Sequence, residues 1–178
     1  NLVFRYADGL SQFGANVVLA DIDYIKCKQM AKKIKEKYLT DPEPIKLDLT
    51  KKKSISNVVS KVLKKYSKID VLINNAAYQG NDKIRKTSFE NLSLDDWNKS
   101  ISVNLTGVFL MCQQVGKIMK KQKQDNIINI GSTYGLVAPD QIIYGCLLYT
   151  SDAADEDERG EPGGRRNLTQ KNEQYMNT

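Results

Sequence analysis

The sequence predicts an α/β fold built on a doubly wound parallel sheet. Four short apolar runs rich in β-branched residues recur along the chain: Asn16–Ala20, Ile45–Leu49, Ile69–Ile73 and Asn126–Gly131. Between them lie longer segments whose apolar residues repeat at helical spacing. Strands that alternate with helices must be joined by crossovers, and crossovers make the sheet parallel. Each run also ends in polar residues, which places the chemistry-bearing groups at the strands' carboxyl ends.

Taken in order, Arg5–Phe13 reads as the last turns of a helix stopped by Gly14, a residue suited to the left-handed C-cap position. Asn16–Ala20 (NVVLA) is a buried strand ending in acids. Tyr24–Tyr38 is a helix whose apolar stripe is Ile25, Met30, Ala31 and Ile34. The Asp41-Pro42-Glu43-Pro44 stretch is expected as a loop into the second strand, Ile45–Leu49. Ser54–Tyr66 is amphipathic through Ile55, Val58, Val59, Val62 and Leu63, and Ile69–Ile73 follows as the third strand. Residues 79–93 read as a polar loop. A long helix starts at Asp95 or Asp96, runs to about Gln122 and is apolar enough over Ile101–Met111 to be expected largely buried. Asn126–Gly131 is the fourth strand.

At 178 residues the chain can enclose one ordinary core. The composition divides it at residue 145. Residues 1–145 carry 23 basic and 14 acidic residues, and residues 146–178 carry four basic and seven acidic. The basic surplus is mostly lysine in helical patterns, the pattern of a solvated helix face. Nucleic-acid binding would call for interleaved aromatics or a recognition motif, and neither is present. No run has the length of a membrane span and no signal-peptide pattern opens the chain, so a cytoplasmic setting is expected. Three cysteines without CxxC spacing give no disulfide framework or zinc signature. The absence of histidine excludes Ser-His-Asp and Cys-His chemistry and leaves Ser, Tyr, Lys, Asn and carboxylates for any catalysis.

Residues 146–178 contain no Ile, Val or Phe. As evolved protein such a segment would be a disordered acidic tail. CLLYTSDAADE (146–156) can also be back-translated into a transposase-type sequencing-library adapter. On that reading the tail is non-native, and the source nucleotides beyond the Gly145 codon decide between the two.

Several positions carry chemistry. Asp21 ends the first visible strand, where a carboxylate can accept hydrogen bonds from an adenosine ribose 2′-OH and repel a 2′-phosphate. It thereby favours NAD over NADP. The alternative is that Asp21 or Asp23 caps the next helix. Asp48, with Leu49 beside it, closes IKLDL and can meet an adenine amino group, or simply precede a turn. Asn74-Asn75-Ala76-Ala77 follows IDVLI with two amides and two small residues that allow a cofactor near the backbone; alone it reads as a generic turn. Asn104 sits inside the apolar helix segment SVNLTGVFL, where an unpartnered buried amide would cost about 1–3 kcal/mol. INIGS ends at Ser132, and Tyr144 follows twelve residues later.

NNAA after a strand, VNLTGVF on a long helix and a strand ending INIGS, in that order, resemble the short-chain dehydrogenase/reductase family from about Tyr6 to Tyr144. The resemblance implies a nicotinamide-dependent oxidoreductase with an NAD(P)-binding Rossmann-like domain over residues 1–145, acting on a small-molecule substrate as a homodimer or homotetramer. It implies that Asn104 helps hold a proton-relay water and Ser132 hydrogen-bonds the substrate oxygen. It further implies that Asp48, Asn75 and Ala76 contact the cofactor, with Asp21 selecting NAD. STYGLVAPDQIIYG is similar to the branch near gluconate 5-dehydrogenases and flagellin-modification reductases, which points to a sugar- or polyol-like substrate. The rivals are reduction of a ketone or 3-oxoacyl group, and a non-catalytic nucleotide-binding protein of the same fold.

Two departures bear on activity. Tyr144 is not followed four residues later by lysine, because Leu148 stands there. Tyr144 is a candidate for the catalytic proton donor, but in the similar branch the catalytic YxxxK comes further on, which favours reading Tyr144 as a loop tyrosine near the site. The resemblance also implies a central first strand and a glycine turn ahead of Asn16–Ala20, and further strands after the catalytic helix. Neither set is found in this sequence. The fold is therefore expected incomplete, and the polypeptide unstable and inactive as written.

Overall fold

The computed structural model describes residues 2–81, 84, 87–123 and 126–132. Helix α1 (Leu2–Gln12) precedes strand β1 (Val18–Asp21), helix α2 (Tyr24–Lys37) and strand β2 (Glu43–Lys46). Helix α3 (Lys52–Tyr66), strand β3 (Leu72–Asn74), helices α4 (Leu94–Ile101) and α5 (Val108–Gln122), and strand β4 (Ile127–Asn129) follow. β1 pairs with β2 and β3 with β4, both in parallel, as two separate two-stranded sheets. This is an incomplete Rossmann-like α/β fold, as the alternation predicted.

Local chemistry sets the element ends. Gly14 takes a positive φ of 78°, where the Gly14 and Ala15 N–H groups donate back to Ser11 and Leu10 carbonyls at 3.0 and 3.1 Å and close α1. Asp23 caps α2 by accepting from the Lys26 N–H at 3.0 Å. Ser93 caps α4, whose first residue Leu94 lies one or two residues ahead of the predicted start. Its Oγ accepts from the Asp96 N–H at 3.1 Å and donates to the Asp96 carboxylate at 2.6 Å.

β2 lies earlier than predicted. Glu43 and Pro44, expected in a loop, pair with Val18 and Leu19 of β1. The Glu43 N–H donates to the Val17 carbonyl and the Leu47 N–H to the Asp21 carbonyl, each at 2.9 Å. Odd-numbered residues of β2 thus face β1, and Pro44, which lacks an N–H, faces the other edge, where proline costs no ladder bond. Beyond Leu47 the chain leaves the sheet, because Asp48 and Thr50 form a turn of their own.

Two apolar clusters hold the layers together. Ala7, Leu19, Cys27, Ala31 and Ile34 join α1, α2 and β1. Ile45, Leu47, Ile55, Val58, Val59, Met111, Val115 and Met119 join β2, α3 and α5. Leu19 belongs to the first cluster while Val18 and Ala20 pack against the second, the alternation a strand imposes on its side chains. Gln122 anchors the end of α5 by accepting from the Ile69 N–H at 3.0 Å and donating to the Ile69 carbonyl at 2.8 Å. No described helix is long and apolar enough to cross a membrane.

The long helix departs from expectation in its middle. Between α4 and α5, Ser102–Gly107 forms a π-helical segment. Leu105 and Phe109 are 63% and 58% exposed, so the apolar stretch expected inside the core has an outward face.

Candidate functional site

The polar ends of β1 and β3 meet at one cavity of about 470 Å³. Asp21, Leu49, Asn75 and Ala76, four of the six residues expected to contact a cofactor, are among its lining residues, whereas Asp48 and Ala77 are not. Open parallel sheets bind ligands at this end of their strands.

At Asp21 the two sequence readings separate. Asp23, not Asp21, caps α2, and the Lys26 backbone N–H holds the Asp23 carboxyl below its usual range. Asp21 is half-buried; its Oδ1 accepts from the Asp23 N–H at 2.9 Å, and its Oδ2 has no hydrogen bond among the described residues. One carboxylate oxygen is fixed by the turn and the other is left for a ligand donor.

Asp48 serves its own loop. Its Oδ1 accepts from the Thr50 hydroxyl at 2.6 Å and the Thr50 N–H at 3.0 Å, and Lys51 Nζ lies 3.3 Å from Oδ2. The Thr50 hydroxyl bond is the largest cause holding this carboxyl below its ordinary range. Ser54 Oγ in turn accepts from the Asp48 N–H at 2.9 Å, so the Asp48 turn is tied to the first residues of α3.

Asn104 lies in the π-helical segment and is exposed, contrary to the expectation of a buried amide. Its amide is nonetheless fully engaged. Oδ1 accepts from the Tyr78 N–H at 2.7 Å, while Nδ2 donates to the Tyr78 carbonyl at 2.9 Å and to Ser100 Oγ at 3.2 Å. Lys99 Nζ sits 4.7 Å from the centre of the Tyr78 ring. The helix thereby grips the loop that carries Asn75, Ala76 and Ala77. Extra residues in a helical turn often mark such functional positions.

Gly107, in the same segment, brings the helix against the cavity wall. A Cβ there would lie 2.7 Å from the Leu49 Cβ and 3.1 Å from the Leu49 carbonyl oxygen. Nothing in the sequence pattern marked this contact. Nor did it mark Asn129, whose Oδ1 accepts from Asn74 Nδ2 at 2.8 Å across β3 and β4, with Cys112 Sγ 3.3 Å from the same Nδ2. A polar residue inside the apolar run IINI was the available signal. Ser132 is exposed just beyond β4. Tyr144 and residues 146–178 lie outside the described residues.

Residues 2–146 match the family described as short chain dehydrogenase. The chain is 35% identical over 126 residues to the 3-oxoacyl-[acyl-carrier-protein] reductase FabG of Thermotoga maritima, covering 71% of this chain and 49% of that protein. It is 34% identical over 140 residues to the NAD-dependent glycerol dehydrogenase of Listeria innocua, covering 79% and 52%. The F189W actinorhodin polyketide ketoreductase with NADPH superposes with a TM-score of 0.69 at 26% identity, over 79% of this chain and 52% of that one. The chain thus spans about half the length of the curated relatives it matches. Parallel strands with polar carboxyl ends, a loop pinned by Asn104 and a family match over most of the sequence agree: this chain belongs to the short-chain dehydrogenase/reductase family.

Proposed function

We propose that residues 1–145 form the nucleotide-binding part of an NAD-dependent oxidoreductase that moves hydride between a nicotinamide cofactor and a hydroxyl or carbonyl carbon. The observation that carries this reading is the convergence of Asp21, Leu49, Asn75 and Ala76 on one cavity at the strand ends. Asp21 fits an adenosine ribose, because its free Oδ2 can accept from a hydroxyl and its charge opposes a 2′-phosphate. The bound nicotinamide would supply the hydride site. Asn75 and Ala76 would help hold it, on a loop that Asn104 fixes through Tyr78. Ser132 would donate a hydrogen bond to the substrate oxygen and stabilise charge there.

The substrate class is a sugar- or polyol-like alcohol, supported by the similarity to a glycerol dehydrogenase. Similarity to the acyl-carrier-protein reductase supports the second reading, reduction of a 3-oxoacyl group. The exposed Leu105 and Phe109 support self-association of the whole protein as a homodimer or homotetramer. Tyr144 without a following lysine supports the expectation that this chain alone does not turn over.

Saturation-transfer NMR of the chain with NADH and with NADPH tests the cofactor reading. Stronger transfer to the adenosine of NADH, with Asp21→Asn narrowing the difference, is the expected result. A preference unaltered by Asp21→Asn would refute the role given to that carboxylate.

A further inference from the structure

At the carboxyl ends of β3 and β4 the face that packs under α5 changes character. Leu72 and Ile127, a registered pair, pack against the core that contains Met111, Val115 and Met119. Strand alternation returns the registered pair two residues on to that same face, and it consists of two amides, Asn74 and Asn129. Cys112, three residues before Val115 on α5, meets them there. The three side chains close a triangle. Asn74 Nδ2 donates to Asn129 Oδ1 at 2.8 Å and to Cys112 Sγ at 3.3 Å, and the Cys112 thiol donates to Asn129 Oδ1 at 3.7 Å. Apolar packing has no direction, so on its own it lets strand ends and helix slide past one another. Hydrogen bonds between three elements fix distance and angle together.

We infer that Asn129 and Cys112 are positioning residues: through Asn74 they fix the end of β4, and with it Ser132, against the loop that carries Asn75 and Ala76. Asn74 directly precedes Asn75, and Asn129 stands three residues before Ser132. Cys112 stands on the helix that continues from the π-helical segment of Asn104. One triangle therefore ties together the elements that bring the substrate-oxygen donor, the cofactor loop and the clamp on that loop. The Ile130 N–H donates to the Asn74 carbonyl at 2.9 Å, between the triangle and Ser132, so the side-chain bonds brace the backbone bond nearest the site. Valine or leucine at positions 74 and 129 would continue the apolar face begun by Leu72 and Ile127 and leave the spacing of the two ends unset. What is positioned here rests on the hydride-transfer reading of Ser132 and Asn75, and the two fail separately in the test.

The test follows amide exchange in the 178-residue chain, in sucrose so that the folded state of every variant is favoured alike. Asn129→Ala removes the acceptor of both bonds, and Ile130 should exchange about three- to tenfold faster. Leu72, whose N–H bonds to Asn126 at the other end of the same ladder, should be unchanged. Asn129→Asp keeps an acceptor in that place and should bring Ile130 back to within about twofold of the parent chain. Cys112→Val keeps the volume without the bonds and should speed Ile130, whereas Cys112→Ser keeps donor and acceptor and should not. Saturation transfer from the chain to NADH gives a readout that a merely structural residue would not move. In Asn129→Ala, transfer to the nicotinamide protons should fall by about half or more relative to the adenosine protons, and Asn129→Asp should restore it. Unchanged exchange at Ile130, equal acceleration at Ile130 and Leu72, or equal loss of transfer at both ends of NADH overturns the inference. So does acceleration by Cys112→Ser as large as that by Cys112→Val. A parent chain that transfers to no part of NADH refutes the nucleotide reading instead, and the rates at Ile130 then decide the triangle alone.

Discussion

Removing the Asn104 amide should loosen the loop after β3 without loosening the strand beneath it. Asn104→Ala deletes the acceptor of the Tyr78 N–H and the donor to the Tyr78 carbonyl, bonds of 2.7 and 2.9 Å. Asn104 is exposed, so each bond takes the low end of the usual net value, about 0.5–1 kcal/mol. Together they hold the loop by about 1–2 kcal/mol, a factor of roughly 5–30 in the opening equilibrium. Amide exchange reads this factor directly at Tyr78, with Leu72 as the internal reference because its N–H is bonded to Asn126 in the β3–β4 pairing. The expected result is 5–30-fold faster exchange at Tyr78, as roughly estimated above, and unchanged exchange at Leu72. Asn104→Asp keeps an acceptor for the Tyr78 N–H but sets an oxygen against its carbonyl, so Tyr78 should exchange at a rate between those of Asn104→Ala and the parent chain. Equal acceleration at Tyr78 and Leu72, or none at Tyr78, would refute the assignment of Asn104 as the residue that positions this loop.

Three other outcomes follow from the same structure. Gly107→Ala places a methyl group 2.7 Å from the Leu49 Cβ, where no flexible chain end can yield, and should lower stability by about 1–3 kcal/mol in a urea titration despite alanine's better helix propensity. Unchanged stability would show that the π-helical segment does not press on Leu49. Cys27 is buried and its thiol is pushed up to about 11 by desolvation, with the Asp21 and Asp23 charges adding to it. At pH 8 it is thiolate in about one molecule in a thousand, so iodoacetamide should label half-exposed Cys112 and leave Cys27 unmodified until urea is added. Mass spectrometry of the peptides checks this, and early modification of Cys27 would contradict its burial. For Asp48 the folded-state pKa is depressed, first by the Thr50 hydroxyl. Its contribution to stability is present above the unfolded value near 3.8 and is lost as pH falls through the lower folded value. Asp48→Asn should therefore flatten the loss of stability below about pH 4. An acid limb identical to that of the parent chain would show that the turn does not depend on this charge.

Much of the fold was legible in the sequence because the signals were local. β-branched runs marked the four strands within a few residues, and the apolar stripe of α3 marked its buried face; in α2 the stripe held at Ala31 and Ile34, but Ile25 is exposed and Cys27 is buried instead. β2 slid toward the N-terminus because the tolerance of Pro44 depends on which edge of the strand is open, and that is set by pairing with β1. The middle of the long helix was misread as buried because apolar content gives no direction: Leu105 and Phe109 face outward once α5 packs through Met111, Val115 and Met119.

The candidate site divides in the same way. Residue type and spacing singled out Asp21, Asn75, Asn104 and Ser132, since each chemical role needs a particular side chain at the end of a strand or on a helix. Tertiary structure decided which of them work together. Asp23 takes the cap and leaves one Asp21 oxygen free, Asp48 turns to its own loop, and Asn104 closes on Tyr78, 26 residues away. Chain sequence by itself determined the elements, the strand-end chemistry and the family. Only the fold decided which strand-end residues share one cavity, because long-range contact arises from pairing and packing rather than from any local run of residues.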